Sequence, residues 1–116
     1  MDTLYTPKAD LYTILQEVDE DTVVYQNRPE VIEEFPCITF SINQNRAEIN
    51  LGKDIAYQEL SATIDIWTLG SAQGSELLSS LESTMRAEGY TLEFSADIPD
   101  PDDRVRHITT RFNLVR

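Results

Sequence analysis

Residues 61–81 read SATIDIWTLGSAQGSELLSSL, and the change of period inside this stretch decides the fold. Ala62, Ile64 and Ile66 alternate with Ser61, Thr63 and Asp65, the two-residue period of a strand with one apolar face. Past Gly70 the apolar positions are Leu77, Leu78 and Leu81, continued by Met85, which is the spacing of one helical face. A one-sided strand running into a one-sided helix calls for a sheet with helices packed against it. Trp67, the only tryptophan, breaks the pattern, because continuing the alternation puts it on the polar side. Two placements resolve this. In the expected one, the strand twists or bulges at its end and Trp67 tucks beneath the start of the helix, near Leu77 or Leu78. In the other, the second sheet face is covered, by the first helix or by a neighbouring subunit.

Upstream, Ile38, Phe40 and Ile42 share one face and Thr39, Ser41 and Asn43 the other, while the second long strand starts near Ala56 and adds Leu60. Antiparallel pairing of these two strands is the simplest arrangement. Residues 44–54, QNRAEINLGKD, are polar and turn-rich. They form either a long loop or the projecting end of a hairpin that carries Ile49 and Leu51. Nearer the N-terminus, Thr6 is placed to cap a helix with Pro7 at its first position, and Leu11, Ile14, Leu15 and Val18 make its apolar stripe. A short strand over 22–26 follows, broken around 27–29. Pro29 and Pro36 bracket a segment whose pattern assigns it no form.

Downstream, Ser71 or Ser75 is placed to cap the second helix and Gly89 to end it, with Glu76, Glu82, Arg86 and Glu88 facing outward. Tyr90, Leu92, Phe94, Ala96 and Ile98 then alternate with Thr91, Glu93, Ser95 and Asp97. The acidic turn DIPDPDD (97–103) leads to a last strand marked by Ile108, Phe112 and Leu114. The expectation is one α+β domain over residues 1–116. It is a two-layer sandwich in which a mainly antiparallel sheet of about four strands packs with two helices.

Twenty-one acids against nine bases give a net charge of −12. Phosphate backbones and anionic lipids repel such a chain, which disfavours specific nucleic-acid or membrane binding. No apolar run approaches the ~20 residues of a membrane span, and MDTLYTPKAD has no secretion signal. The lone Cys37 excludes an internal disulfide and fits a reducing cytoplasm. At the start of an apolar strand it reads as a packed residue rather than a nucleophile.

The residues do not assemble a catalytic set. His107, the only histidine, falls on the polar face of the last strand and reads as an exposed side chain among Arg104, Arg106 and Arg111, which oppose a cation. Asp97, Asp100, Asp102 and Asp103 could in principle hold calcium, but the loop lacks the glycine and distal glutamate of an EF-hand and reads as a solvated turn. There is no G-x-S-x-G elbow and no phosphate-cradling glycine loop. The acidic pairs Glu33–Glu34 and Asp19–Asp21 do not face one substrate. The reading is therefore no enzyme, no cofactor, no metal and no catalytic residue.

The strand ending TIDIWT, the amphipathic helix SAQGSELLSSLESTM and the preceding RPEVIEEFPCITF resemble the tail-completion or tail-terminator proteins of tailed phages and prophages. The resemblance runs from Asp10 over nearly all of the chain. It implies a structural virion protein at the head–tail joint, present in the host cytoplasm during assembly. Such proteins cap the tail tube as a ring of six and meet the tail tube protein and head-completion or connector proteins. DNA passes through the ring without specific binding, so a ring lined with acids repels the DNA that slides through it. On this reading Asp97, Asp100, Asp102 and Asp103 are candidates for the acidic lumen surface. Asn45, Arg46, Ile49, Leu51, Lys53 and Trp67 are candidates for the contact between subunits, together with strand addition at a sheet edge. The alternatives are a head-completion or connector protein of the same phage context, or a small regulatory module with an apolar ligand pocket between helix and sheet.

Overall fold

The computed structural model describes residues 7–27, 29, 32–49 and 55–115. Helix α1 (Pro7–Gln16) leads into β1 (Val23–Gln26), β2 (Cys37–Ile49) and β3 (Ile55–Leu69); α2 (Ser71–Ala87) is followed by β4 (Thr91–Ile98) and β5 (Val105–Val115). The strands form one sheet in the order β1-β2-β3-β5-β4. Pairing is antiparallel for β2 with β3, β3 with β5 and β4 with β5, but parallel for β1 with β2. The fold is thus α+β as expected, with a correction: the sheet is five-stranded and mixed. Periodicity could not show this, because a four-residue strand carries too little pattern to reveal its direction.

Register places the apolar alternations of β2, β3 and β5 on a common face. Ile38 pairs with Ile66, Phe40 with Ile64 and Ile42 with Ala62; Ile66 then pairs with Ile108 and Ala62 with Phe112. Both helices cover this face. Leu11 and Leu15 of α1, Leu81 and Met85 of α2, and Phe40, Ile64 and Phe112 of the sheet are fully buried in one core. Thr110, a fully buried polar side chain in this face of β5, donates its hydroxyl to the Ile64 carbonyl at 2.7 Å, which offsets the cost of burying it.

Helix α2 starts without the serine cap expected at Ser71 or Ser75. Its N-cap is Gly70, at φ +105°, and no side-chain cap bond is made. Arg106, beneath the first turn, takes the serines instead. Its Nη1 donates to the Ser71 carbonyl at 2.7 Å and to Ser75 Oγ at 2.9 Å, and its Nε donates to Asp97 at 3.1 Å. Gly74 permits this approach, since a Cβ there would lie 3.0 Å from Thr68 Oγ1 and 3.1 Å from Arg106 Cδ. The other end behaves as the sequence predicts. Gly89, at φ +93°, donates to the Arg86 carbonyl and Tyr90 to that of Met85, the paired bonds of a Schellman motif. Thr6, the expected cap of α1, lies outside the described residues.

Two irregularities reshape the sheet. The register of β4 on β5 slips between Leu92 and Phe94. Leu92 faces Phe112 in the core, but Phe94 faces Arg111, Ala96 faces Thr109 and Ile98 faces His107. The predicted single face of Tyr90, Leu92, Phe94, Ala96 and Ile98 is therefore split by a bulge, which turns the last three onto the face without helices. The second irregularity is length. The β3–β5 register ends at Glu59 and Val115, while β2 and β3 remain paired to Ile49 and Ile55. The chain measures 54 × 27 × 23 Å, and its radius of gyration of 15.5 Å exceeds the ~13 Å of a compact domain of this size.

Candidate functional site

Three surfaces carry the residues that the sequence singles out. The first is the β2–β3 arm, in which residues 44–49 take the hairpin alternative by pairing with residues 55–61. Asn45 accepts a hydrogen bond from Gln58 Nε2, and Arg46 pairs with Glu59 at 3.2 Å. Ile49 ends β2, its side chain outside the description. Leu51 and Lys53 lie outside the described residues. At the root of the arm, Asn43 Nδ2 donates to Thr63 Oγ1 at 2.7 Å, next to a register shift between Ile42 and Gln44.

The second is the turn between β4 and β5. Here the four aspartates differ sharply. Asp97 lies on the helix-bearing face and pairs with Arg106. Asp100 accepts the backbone N–H of Asp102 at 2.9 Å. Asp102 holds the Arg104 guanidinium in a fork, with Nε and Nη2 at 3.0 and 2.8 Å, and also accepts the Arg104 backbone N–H. These bonds to Arg104 pull the Asp102 carboxyl down to about 2 and raise the Arg104 guanidinium in turn. Asp97, Asp100 and Asp103 line an open groove of about 410 Å³ with Ile98, Arg106 and His107. Two arginines thus offset part of the turn's negative charge. Among the described residues, no three His, Cys, Asp or Glu side chains are grouped so as to hold a metal ion.

The third surface is the sheet face opposite the helices. Trp67 stands there, only 2 % exposed, between Cys37 on β2 and His107 on β5. This corrects the expected packing beneath α2 near Leu77 or Leu78: the strand stays regular, and Trp67 keeps the parity of Asp65. Its Nε1 donates to Thr39 Oγ1 at 3.3 Å, and its ring stacks on His107. His107 is accordingly not the exposed residue expected from sequence. Its side chain is 14 % exposed and its Nε2 lies 3.1 Å from Asp65 Oδ1.

The β3-α2-β4 connection joins parallel strands over the helix-bearing face. The β1–β2 connection steps across the sheet in the same direction, but its strands point the opposite way. Burial, and after it the nearby Glu34 carboxylate, push the Cys37 thiol up to about 11, and the same influences raise the Tyr25 hydroxyl. Both side chains sit on the open face. Cys37 is fully buried and held as the thiol, as a packed residue is.

Towards β4 the open face remains uncovered. Leu69, Phe94 and Ile98 are 52, 44 and 40 % exposed. The charges around them are engaged: Arg111 lies 5.3 Å over the Phe94 ring, Glu93 accepts from Asn113, and Asp65 is held by His107. The helix layer is the contrary case. Asp10, Glu17, Glu20, Asp21, Glu76 and Glu88 stand exposed there against Lys8 and Arg86. Sequence reasoning missed the Phe94–Ile98 strip, since a bulge leaves no mark on hydrophobic periodicity. No described helix is long and apolar enough to cross a membrane.

A family model described as "Tail completion protein gp17" matches residues 5–115. No curated protein matches the chain.

Proposed function

The chain belongs to the tail completion protein gp17 family, a family of phage tail proteins, and on that premise we propose that it is a structural, non-catalytic subunit that assembles as a ring of six at the end of the tail tube, at the head–tail joint of the virion. The observation that carries this reading is the projecting arm. Two strands that leave the core together, with only each other as neighbours among the described residues, are suited to reach a second molecule. A cyclic ring is built from heterologous contacts, so an arm on one subunit needs a different receiving surface on the next. The partners on this reading are further copies of the chain, the tail tube protein and the connector side of the joint. A ring lumen passes DNA and binds no particular sequence. The exposed carboxylates of the helix layer and of the Asp97–Asp103 turn both suit a surface from which DNA must slip freely.

Sedimentation and electron microscopy of the protein over a wide concentration range test the reading, with rings as the expected result. A protein that stays monomeric or dimeric at every concentration, and whose melting shifts with a small molecule, would instead be the ligand-binding module. If rings form, adding them to unjoined heads or unjoined tails distinguishes a tail-end subunit from a connector: the tail-end subunit converts tails, the connector converts heads.

A further inference from the structure

We infer that the strip made by Phe94, Ala96 and Ile98 on β4, continued by Leu69 on β3, is the receiving surface for the β2–β3 arm of a second copy of this chain. The inference rests on the ring reading above and supplies the second of the two patches that such a ring requires.

The bulge is the first argument. Without it Ile98 would face the helix layer and Asp97 the open face. The slip at Glu93 reverses both, placing Asp97 on Arg106 and turning three apolar residues outward on the strand at the edge of the sheet. An apolar strip of this kind on a strongly charged chain marks a contact surface.

Charge selects the occupant. Two copies at −12 each repel through their helix layers, where exposed carboxylates far outnumber cations. Around Phe94 and Leu69, Arg111, Glu93 and Asp65 are engaged within the subunit, and only Asp100 and Asp103 flank the Ile98 end, so a second copy meets less repulsion there than at the helix layer. At the root of the arm Arg46 and Glu59 neutralise each other, and residues 47–57 add Glu48, Lys53 and Asp54, a net charge of only −1. Residues 47–57 include Ala47, Ile49, Leu51, Ile55, Ala56 and Tyr57.

Length agrees as well. The paired strands beyond Glu59 run four residues to Ile55, about 13 Å at ~3.3 Å per residue. Phe94 to Ile98 is the same four-residue span. The edge of β4 that faces away from β5 also leaves backbone groups for the arm to meet.

Two variants of the full chain test this. One carries F94E and I98E; the other replaces residues 47–57 with a two-residue turn. Each is checked for an unchanged near-ultraviolet spectrum of Trp67 and then sedimented alone and in an equimolar mixture, beside the unaltered protein. The expectation is rings from the unaltered protein, monomers from each variant alone, and a one-to-one dimer from the mixture. In that dimer the intact arm of the first variant meets the intact strip of the second. Rings from F94E/I98E at the concentration where the unaltered protein forms them would overturn the receiving strip and leave the ring reading standing. A mixture that stays monomeric would also overturn it, as would F94E/I98E rings that fail only to join tails, which would give the strip to another tail protein. Failure of the unaltered protein to form rings is the separate result that removes the ring reading itself.

Discussion

The indole of Trp67 lies against the imidazole of His107 across the β3–β5 pair, with ring centroids 3.6 Å apart and planes 13° from parallel. Each ring is fixed at its far end by a hydrogen bond, Trp67 to Thr39 and His107 to Asp65. Because a carboxylate only accepts, the proton of a neutral His107 sits on Nε2. The stack therefore ties together β2, β3 and β5 on the face that the helices do not reach.

Replacing His107 by alanine removes the stacking partner and leaves Asp65 without its donor. The expected loss is about 1–2 kcal/mol in urea unfolding, with a red-shifted Trp67 emission. His107→Phe restores the stack alone and should recover the emission and part of the stability.

Gly74→Ala sets two effects against each other. Helix propensity favours alanine by about 1 kcal/mol, but the new methyl meets Thr68 Oγ1 and the pinned Arg106 side chain at 3.0 and 3.1 Å. Thr68 is fully buried and its hydroxyl is bonded to the Gly70 carbonyl, so it cannot yield cheaply. The variant should be less stable than the parent, and the loss should shrink in an Arg106→Ala background. A double-mutant cycle by denaturation measures this coupling.

Asp102 makes a pH prediction with a definite sign. Its carboxyl is held near 2 by Arg104, below its ordinary value of 3.8. A depressed acid contributes stability above its unfolded value and loses it as pH falls. The ordering of the β4–β5 turn should therefore persist at pH 4 and fade towards pH 2. Carboxyl NMR should give a midpoint near 2 for Asp102, which returns to the ordinary range in Arg104→Gln.

Gly89→Ala tests the end of α2. At φ +93° a side chain is strained, and its Cβ would also come within 3.4 Å of Leu114. A loss of about 1–2 kcal/mol in thermal or urea unfolding is expected, because both bonds of the Schellman motif depend on this conformation.

Much of this fold was legible in the sequence because burial on one face imposes a period. The alternation of Ile38, Phe40 and Ile42 and of Ala62, Ile64 and Ile66, the helical spacing of Leu77, Leu81 and Met85, and the stop at Gly89 all appear where the pattern puts them. What escaped depends on pairing between distant segments. The bulge after Leu92 alters register without altering composition, and it alone decides that Phe94 and Ile98 face outward. The partnership of Trp67 and His107 requires knowing that β5 lies beside β3, which no local signal states. The parallel direction of β1 is hidden for the same reason. The surface residues were named on weaker grounds. Asn45 and Arg46 do lie on the arm, but half of the aspartates singled out in the turn are paired with arginines.

The order β1-β2-β3-β5-β4 also bears on how the chain is made. β5 is synthesised last among the described strands, yet it lies inside the sheet and joins residues as distant as Glu59 and Val115. On the ribosome, β4 emerges with no strand to pair with, and β3 keeps one edge open until residues 105–115 follow. The nascent chain can form its helices and its arm early, but it cannot set Phe94 and Ile98 in place. If Phe94 and Ile98 receive a neighbour as proposed, only a fully folded subunit can do so, a built-in check on copies that are cut short.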